Sequence, residues 1–446
     1  MDFLDSLVLP QSSEHIMLLH YMLMLVFFLF IPFISIVFGG VALSVYFRIK
    51  GAKQKNTLFT RFANDLVETL TINKSTGIIL GIVPVLTALL IYSQLLHSTG
   101  AGTVILLAIV FILNTVSLIL IYTYRYSSKM NSVFSEIKNY EQKDEIQQTL
   151  NKYLKGTDVL IHKSAVAGIV ILLVSLWLFT GSLIIAVNVD TWNDSLKLVM
   201  ALFSWKVLAA FLQMLAAAFA LTGGAILFAF FYWEGGKASL DEEYRNLVKV
   251  TAIKIAFAGA ILQPVLLVVN LLGVPAASLS ASMFGLSALS LILLFLAYNF
   301  LYAMLRDSTI KYSGHVFFAL LFALLAVIVK DQLAMGNSTK VQTAILSANY
   351  DTYLAALKGT GKTVEISGEE VYQVRCSSCH KFDVKLVGPP YKQTMPKYEG
   401  KVNDLVAFIL NPKKVNPDYP PMPNPGLKPN EAKAVAEYIL KTYKTK

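Results

Sequence analysis

The only two cysteines in the chain, Cys376 and Cys379, stand three residues apart, and a histidine, His380, follows the second directly. Two thiols one helical turn apart beside an imidazole suit covalent attachment of a haem. Each thiol adds to a vinyl group as a thioether, and the imidazole coordinates the iron. A structural zinc site, a redox dithiol and a disulfide share the bare spacing. A closed zinc site takes four nitrogen or sulfur ligands, and residues 364–446 offer no other Cys or His. A redox dithiol has no use for the adjacent histidine. The pattern therefore predicts one haem c, anchored by Cys376 and Cys379, with His380 on the iron.

The elements that must carry this site are mostly membrane. Of 446 residues, 55% are hydrophobic and 15% charged, and the mean hydropathy is +0.59, well away from a soluble globular average. Apolar runs long enough to cross about 30 Å of hydrocarbon as helix fall near residues 17–47, 77–98, 103–124, 165–187, 202–233, 251–272, 282–304 and 316–329. Lys and Arg alternate between the connections. None precedes Arg48, six fall between Arg48 and Lys74, none occurs in "STGAG", and six more lie between Lys129 and Lys163. Short positive loops stay on the cytoplasmic side, so an even number of crossings predicts both termini outside the cytoplasmic (inner) membrane of a bacterium. The first apolar run is too long for a cleavable signal peptide and is expected to remain as an anchor. The net charge of +10 follows partly from this topology and calls for no nucleic-acid partner. The segment 125–162 has helical periodicity with mixed charge and reads as a solvated hairpin or surface helix.

The last 80 or so residues resemble class I cytochrome c. "SGEEVYQVRCSSCH" supplies Gly368 and Tyr372, four residues apart before the attachment site, and "NEAKAVAEYILKTYK" supplies a last helix with Tyr438. Gly388–Pro389 match the family's loop after the motif. The resemblance implies a second axial ligand in the proline-rich loop before the last helix, which is Met422 in "NPDYPPMPNPGL". Met395 is the competing thioether, nearer the attachment site and without a helix after it. His/Met ligation implies a relatively high potential, because the soft thioether favours ferrous iron. The basic excess of this domain suits a redox partner of opposite charge, or simply solubility.

In the membrane part, buried ionisable groups are costly and mark functional positions. His20 and His97 lie at similar depth on consecutive antiparallel helices and could hold a b haem between them. Lys206 could pair with a propionate or snorkel to the interface. Gln213 and Tyr21 could meet a quinone headgroup or a haem edge. "FFLFIPFISIVFGG" and "FLQMLAAAFALTGGAILFAFFYWEGG" resemble segments of the large subunit of cytochrome bd quinol oxidases. That family's ligating histidines fall here on Phe27 and Gln213, and the third apolar run contains no acid.

The expected fold is all-α. It comprises an N-terminal tail (1–15), a bundle of about eight transmembrane helices (16–330), a linker (331–363) with a short helix near 343–357, and a periplasmic class I cytochrome c domain (364–446). The expected function is electron transfer in a respiratory or photosynthetic chain, from quinol, through b haem, to a periplasmic acceptor by way of haem c. A non-catalytic anchored relay within a larger complex is one alternative. A terminal oxidase is another, although it needs an open haem and a proton path for which no ligands or carboxylates are evident. The expected partners are the lipid bilayer, other electron-transfer subunits and a periplasmic redox protein.

Overall fold

A backbone that crosses lipid must satisfy every N–H and C=O internally, and helices do so segment by segment. A computed structural model describes residues 10–97, 99–140, 144–192, 194–236, 241–358 and 367–444, among which every regular element is helical. In chain order the membrane part runs α1 (Ser13–Gln54), α2 (Thr57–Leu70), α3 (Lys74–Leu95), α4 (Thr103–Tyr140), α5 (Asp144–Val187), α6 (Ser195–Leu202), α7 (Trp205–Phe231), α8 (Glu242–Gly273), α9 (Ala281–Arg306) and α10 (Ser313–Ser338). All but α2 belong to the eight spans long and apolar enough to cross a membrane, α6 and α7 lying within one of them. After α10 come α11 (Lys340–Leu357), α12 (Gly368–Arg375), α13 (Tyr391–Thr394), α14 (Val402–Leu410) and α15 (Pro429–Thr442). The chain divides into two compact units, His20–Ser338 and a second made of Thr339–Lys446 with Met1–Leu19.

Two boundaries differ from the sequence reading. The described residues among 125–162 are helical and paired, as a hairpin reading expects, but they continue α4 and α5 without a break; Asn131 Nδ2 ties the two arms by donating to Thr157 Oγ1 at 3.0 Å and Asp158 Oδ1 at 2.7 Å. The eighth span continues through Ser338, so residues 331–338, expected as linker, are helix. The charges at 330 and 331 do not break it because Lys330 Nζ lies 2.7 Å from Asp331 Oδ1. The short helix expected near 343–357 is present as α11, and residues 359–366 lie outside the described residues.

Small residues let the membrane helices approach closely. A Cβ at Gly223 on α7 would run into the backbone of Ala256 on α8, and one at Gly259 on α8 into the backbone of Ala220. Backbone groups freed by helix irregularities are taken up by side chains. Pro264 inside α8 leaves the carbonyl four residues back without a donor, and the Tyr298 hydroxyl donates to that Ala260 oxygen at 2.5 Å. At the π segment of α3, Ile78–Ile82, Asn114 Nδ2 donates to the Gly81 carbonyl at 2.7 Å.

In the second unit, Ser367 caps α12 by accepting from Glu370 N. The Lys428 amide donates to Glu431 Oε2 at 2.8 Å at the start of α15. Tyr372, Cys376, Phe382, Leu405, Ile409, Val435 and Ile439 share one buried core. Where α12 crosses α15, a Cβ at Gly368 would strike the Ala434 carbonyl oxygen and the Tyr438 Cβ. Gly368→Val is therefore expected to overpack the crossing at a cost of about 1–3 kcal/mol. In a domain of this size that lowers its melting temperature by roughly 4–8 °C per kcal/mol. Unchanged melting of this unit in the full chain would contradict the close crossing.

Candidate functional site

The chain after α12 coils tightly enough to bring both thiols and the imidazole together. Cys376 N donates to Tyr372 O at 2.9 Å, Cys379 N to Cys376 O at 3.1 Å and His380 N to Cys376 O at 2.9 Å. Both cysteines are free thiols, Cys376 buried and Cys379 half-buried. Burial pushes the Cys376 thiol up to about 11, against a smaller opposing effect of the Tyr391 hydroxyl. It is therefore protonated at neutral pH. A redox dithiol works through a thiolate of lowered pKa, so this environment argues against that reading.

His380 is held from three sides. Its Nδ1 lies 3.1 Å from the Pro389 carbonyl, which can only accept, so Nδ1 carries a proton and Nε2 is the ring nitrogen left to face a metal. A carbonyl partner of this kind fixes the tautomer of a metal-ligating histidine. The ring stacks on buried Tyr391, with centroids 5.1 Å apart and planes 9° apart. Gly388 passes so close that any Cβ there would overlap the imidazole. The surrounding loop is pinned by Gly388 N to Cys379 O at 2.9 Å, Tyr391 N to Lys381 O at 3.0 Å, and the Tyr372 hydroxyl to His380 O at 3.1 Å. Two free thiols and an imidazole whose ring is fixed through Nδ1 fit the predicted haem c.

The two methionines differ in surroundings. Met395, 4% exposed, is part of the domain core. Met422 is half-buried in the non-helical stretch between α14 and α15, where Asn424 Nδ2 donates to Leu410 O at 3.0 Å and Gly426 N to Asn424 Oδ1 at 2.9 Å. Lys385 Nζ sits 4.7 Å from the Tyr419 ring centroid. That contact links the loop after the attachment motif to the loop bearing Met422.

In the membrane unit, Lys206 and Gln213 line one partly open cavity of about 150 Å³ together with Tyr92, Asn270, Lys330 and Gln332. Lys206 Nζ donates to Asn188 Oδ1 at 3.3 Å. His20 and His97 are not among the cavity's lining residues, and Tyr21 is exposed. His20 approaches Gly336 near the end of α10, and Tyr92, at the end of α3 just before His97, faces Gln332 of the same helix. Sequence reasoning missed Tyr391 as the ring beneath His380, and missed Lys330 and Gln332. A lysine and a glutamine at the edge of an apolar run look like its end, and only a count of helical turns past them could have signalled otherwise.

Residues 366–442 match the family model described as Cytochrome c. The chain is 40% identical over 79 residues to cytochrome c-551 of Pseudomonas denitrificans and 38% identical over 78 residues to cytochrome c-551 of Azotobacter vinelandii, each alignment covering 17% of this chain and 95% of the relative. Cytochrome c-551 of Ectopseudomonas mendocina is 35% identical over 78 residues, again 17% of this chain and 95% of the relative. No solved structure matches the chain.

Proposed function

Because the chain belongs, through residues 366–442, to the cytochrome c family, we propose that it draws electrons from quinol in the bilayer and passes them through its haem c to an acceptor outside the cytoplasmic membrane. The family membership itself implies electron transfer and a covalent haem c, and the eight apolar spans make this a multi-pass membrane protein. The observation that carries the proposal is their union in one chain: an attachment site with a fixed imidazole, joined to spans that dissolve where quinols dissolve.

When bound, the haem supplies a one-electron couple. The chain's own residues do the rest. Cys376 and Cys379 would anchor it and His380 and Met422 would hold its iron, while the Pro389 carbonyl engages His380 Nδ1 and leaves Nε2 to face the metal. Met395, enclosed in the core, is already used in packing. The Lys and Arg alternation supports termini on the periplasmic side. The domain's surface lysines suit an acidic redox partner.

The same proposal extends to His20 and His97, which would hold one b haem. The observation favouring them is that the ends of α1 and α3 both flank the end of α10.

The test is anaerobic addition of a short-chain quinol to sealed vesicles containing the protein, read at the haem c absorbance. Reduction is expected. Reduction by dithionite but not by quinol would contradict the quinol link and leave an anchored relay.

A further inference from the structure

The membrane cavity holds more polar chemistry than an apolar bundle needs. Lys330 is 1% exposed in the last third of α10, a helix of lipid-spanning composition, and is neutralised by its neighbour Asp331, whose side chain is 52% exposed. A buried charge in such a helix is costly and marks function rather than packing. Across the cavity, Gln213 of α7 is fixed by two partners on α8. Its Oε1 accepts from Asn270 Nδ2, and its backbone carbonyl accepts from Gln263 Nε2 at 3.2 Å. That leaves the Gln213 Nε2 donor without a partner among the described residues, although the side chain is 92% buried by its 8% exposure. Gln332, 7% exposed, has the opposite orphan: its Oε1 acceptor is unpartnered among the described residues.

Buried polar atoms left unpaired cost on the order of 1–3 kcal/mol each, so one donor and one acceptor on one cavity call for an occupant that answers both. A cavity of about 150 Å³ is the size that accepts a single six-membered ring. The partly open side leaves a path for a tail.

The geometry points to a binding site for the ring of a lipid quinol, with Gln213 Nε2 donating to one ring oxygen and a quinol hydroxyl donating to Gln332 Oε1. This rests on the proposed quinol-to-haem direction and locates its membrane end. It also gives the site a preference. A quinol hydroxyl both accepts and donates, whereas a quinone carbonyl only accepts and leaves Gln332 Oε1 unpaired. The site therefore favours the reduced form, and Gln332 sets that preference. Lys330, ion-paired to Asp331, lines the same cavity.

The experiment is equilibrium binding to the purified full chain, carrying haem c reduced beforehand so that no electron transfer follows. Short-chain benzoquinone and naphthoquinone are each titrated in reduced and oxidised forms, which also shows which ring class binds. Wild type is expected to bind quinol about tenfold more tightly than quinone, the value of one satisfied hydrogen bond. Gln332→Leu should bring the two forms to equal affinity. Gln213→Leu should weaken both by about tenfold, and Gln213→Asn, which keeps the amide but withdraws it, serves where the leucine variant does not accumulate. An unchanged melting temperature and a single sharp peak in size exclusion of the detergent-purified full chain establish that the membrane unit of the variants is folded. A quinol preference that survives Gln332→Leu, or undiminished binding in the Gln213 variants, overturns this site while reduction of haem c by quinol in vesicles still stands. Absence of binding by wild type together with absence of that reduction overturns the underlying reading as well.

Discussion

Replacing Met422 with Ala lowers the reduction potential of haem c by on the order of 0.1 V, a fraction of the ~0.8 V over which axial ligands set haem potentials, and removes the weak near-infrared band of sulfur-to-ferric-iron charge transfer. The haem stays covalently attached, because the thioethers are made by residues the substitution does not touch. The direction follows from the thioether, a soft ligand that stabilises ferrous over ferric iron. Met422 is half-buried in a loop without helix, and the Lys385 contact with Tyr419 joins that loop to the His380 loop. Met395 sets the control. Its 4% exposure within the domain core means that Met395→Ala costs about 2–5 kcal/mol of stability through a cavity while the charge-transfer band persists. Loss of the band in Met395→Ala and its survival in Met422→Ala, read in absorption spectra of the oxidised proteins, would exchange the two assignments.

The second large effect concerns attachment. With Cys376→Ala and Cys379→Ala combined, no haem remains on the denatured chain. Each single variant retains at most one thioether and shows a shifted reduced spectrum. His380→Ala keeps both thiols but loses the Nε2 ligand that the Pro389 carbonyl fixes at 3.1 Å from Nδ1, so the low-spin spectrum is lost. Denaturing electrophoresis stained for haem checks the first result and visible spectroscopy the second. Covalent haem persisting in the double variant would sink the assignment, since no other cysteine exists in the chain.

The candidate attachment site stands out in the sequence because its chemistry is local. Three residues within five positions must meet one cofactor, and the hydrogen bonds that coil them run between near neighbours. Gly368 was legible for a similar reason, as the small residue where two helices cross. Helix boundaries were less so. The sequence cannot show that Lys330 and Asp331 neutralise each other, so the charges looked like the end of a span that in fact continues to Ser338. The cavity was legible only at Gln213 and Lys206, which stood out as polar residues in apolar surroundings. Their counterparts Gln332, Asn270 and Tyr92 come from three other helices, and tertiary packing rather than periodicity brings them to one wall. The bond from Lys206 to Asn188 likewise joins positions whose meeting no local pattern announces.

The measurement closest to the central claim is a pyridine haemochrome spectrum of the purified full chain against its protein concentration, which separates c-type from b-type haem and counts each. The account predicts one haem c per chain, held by Cys376 and Cys379, with one b haem beside it if His20 and His97 ligate as proposed. A haem c signal without b haem would remove the histidine pair and leave the cytochrome. A chain purified from a host competent in haem c attachment that carries no c-type haem would contradict the account at its root.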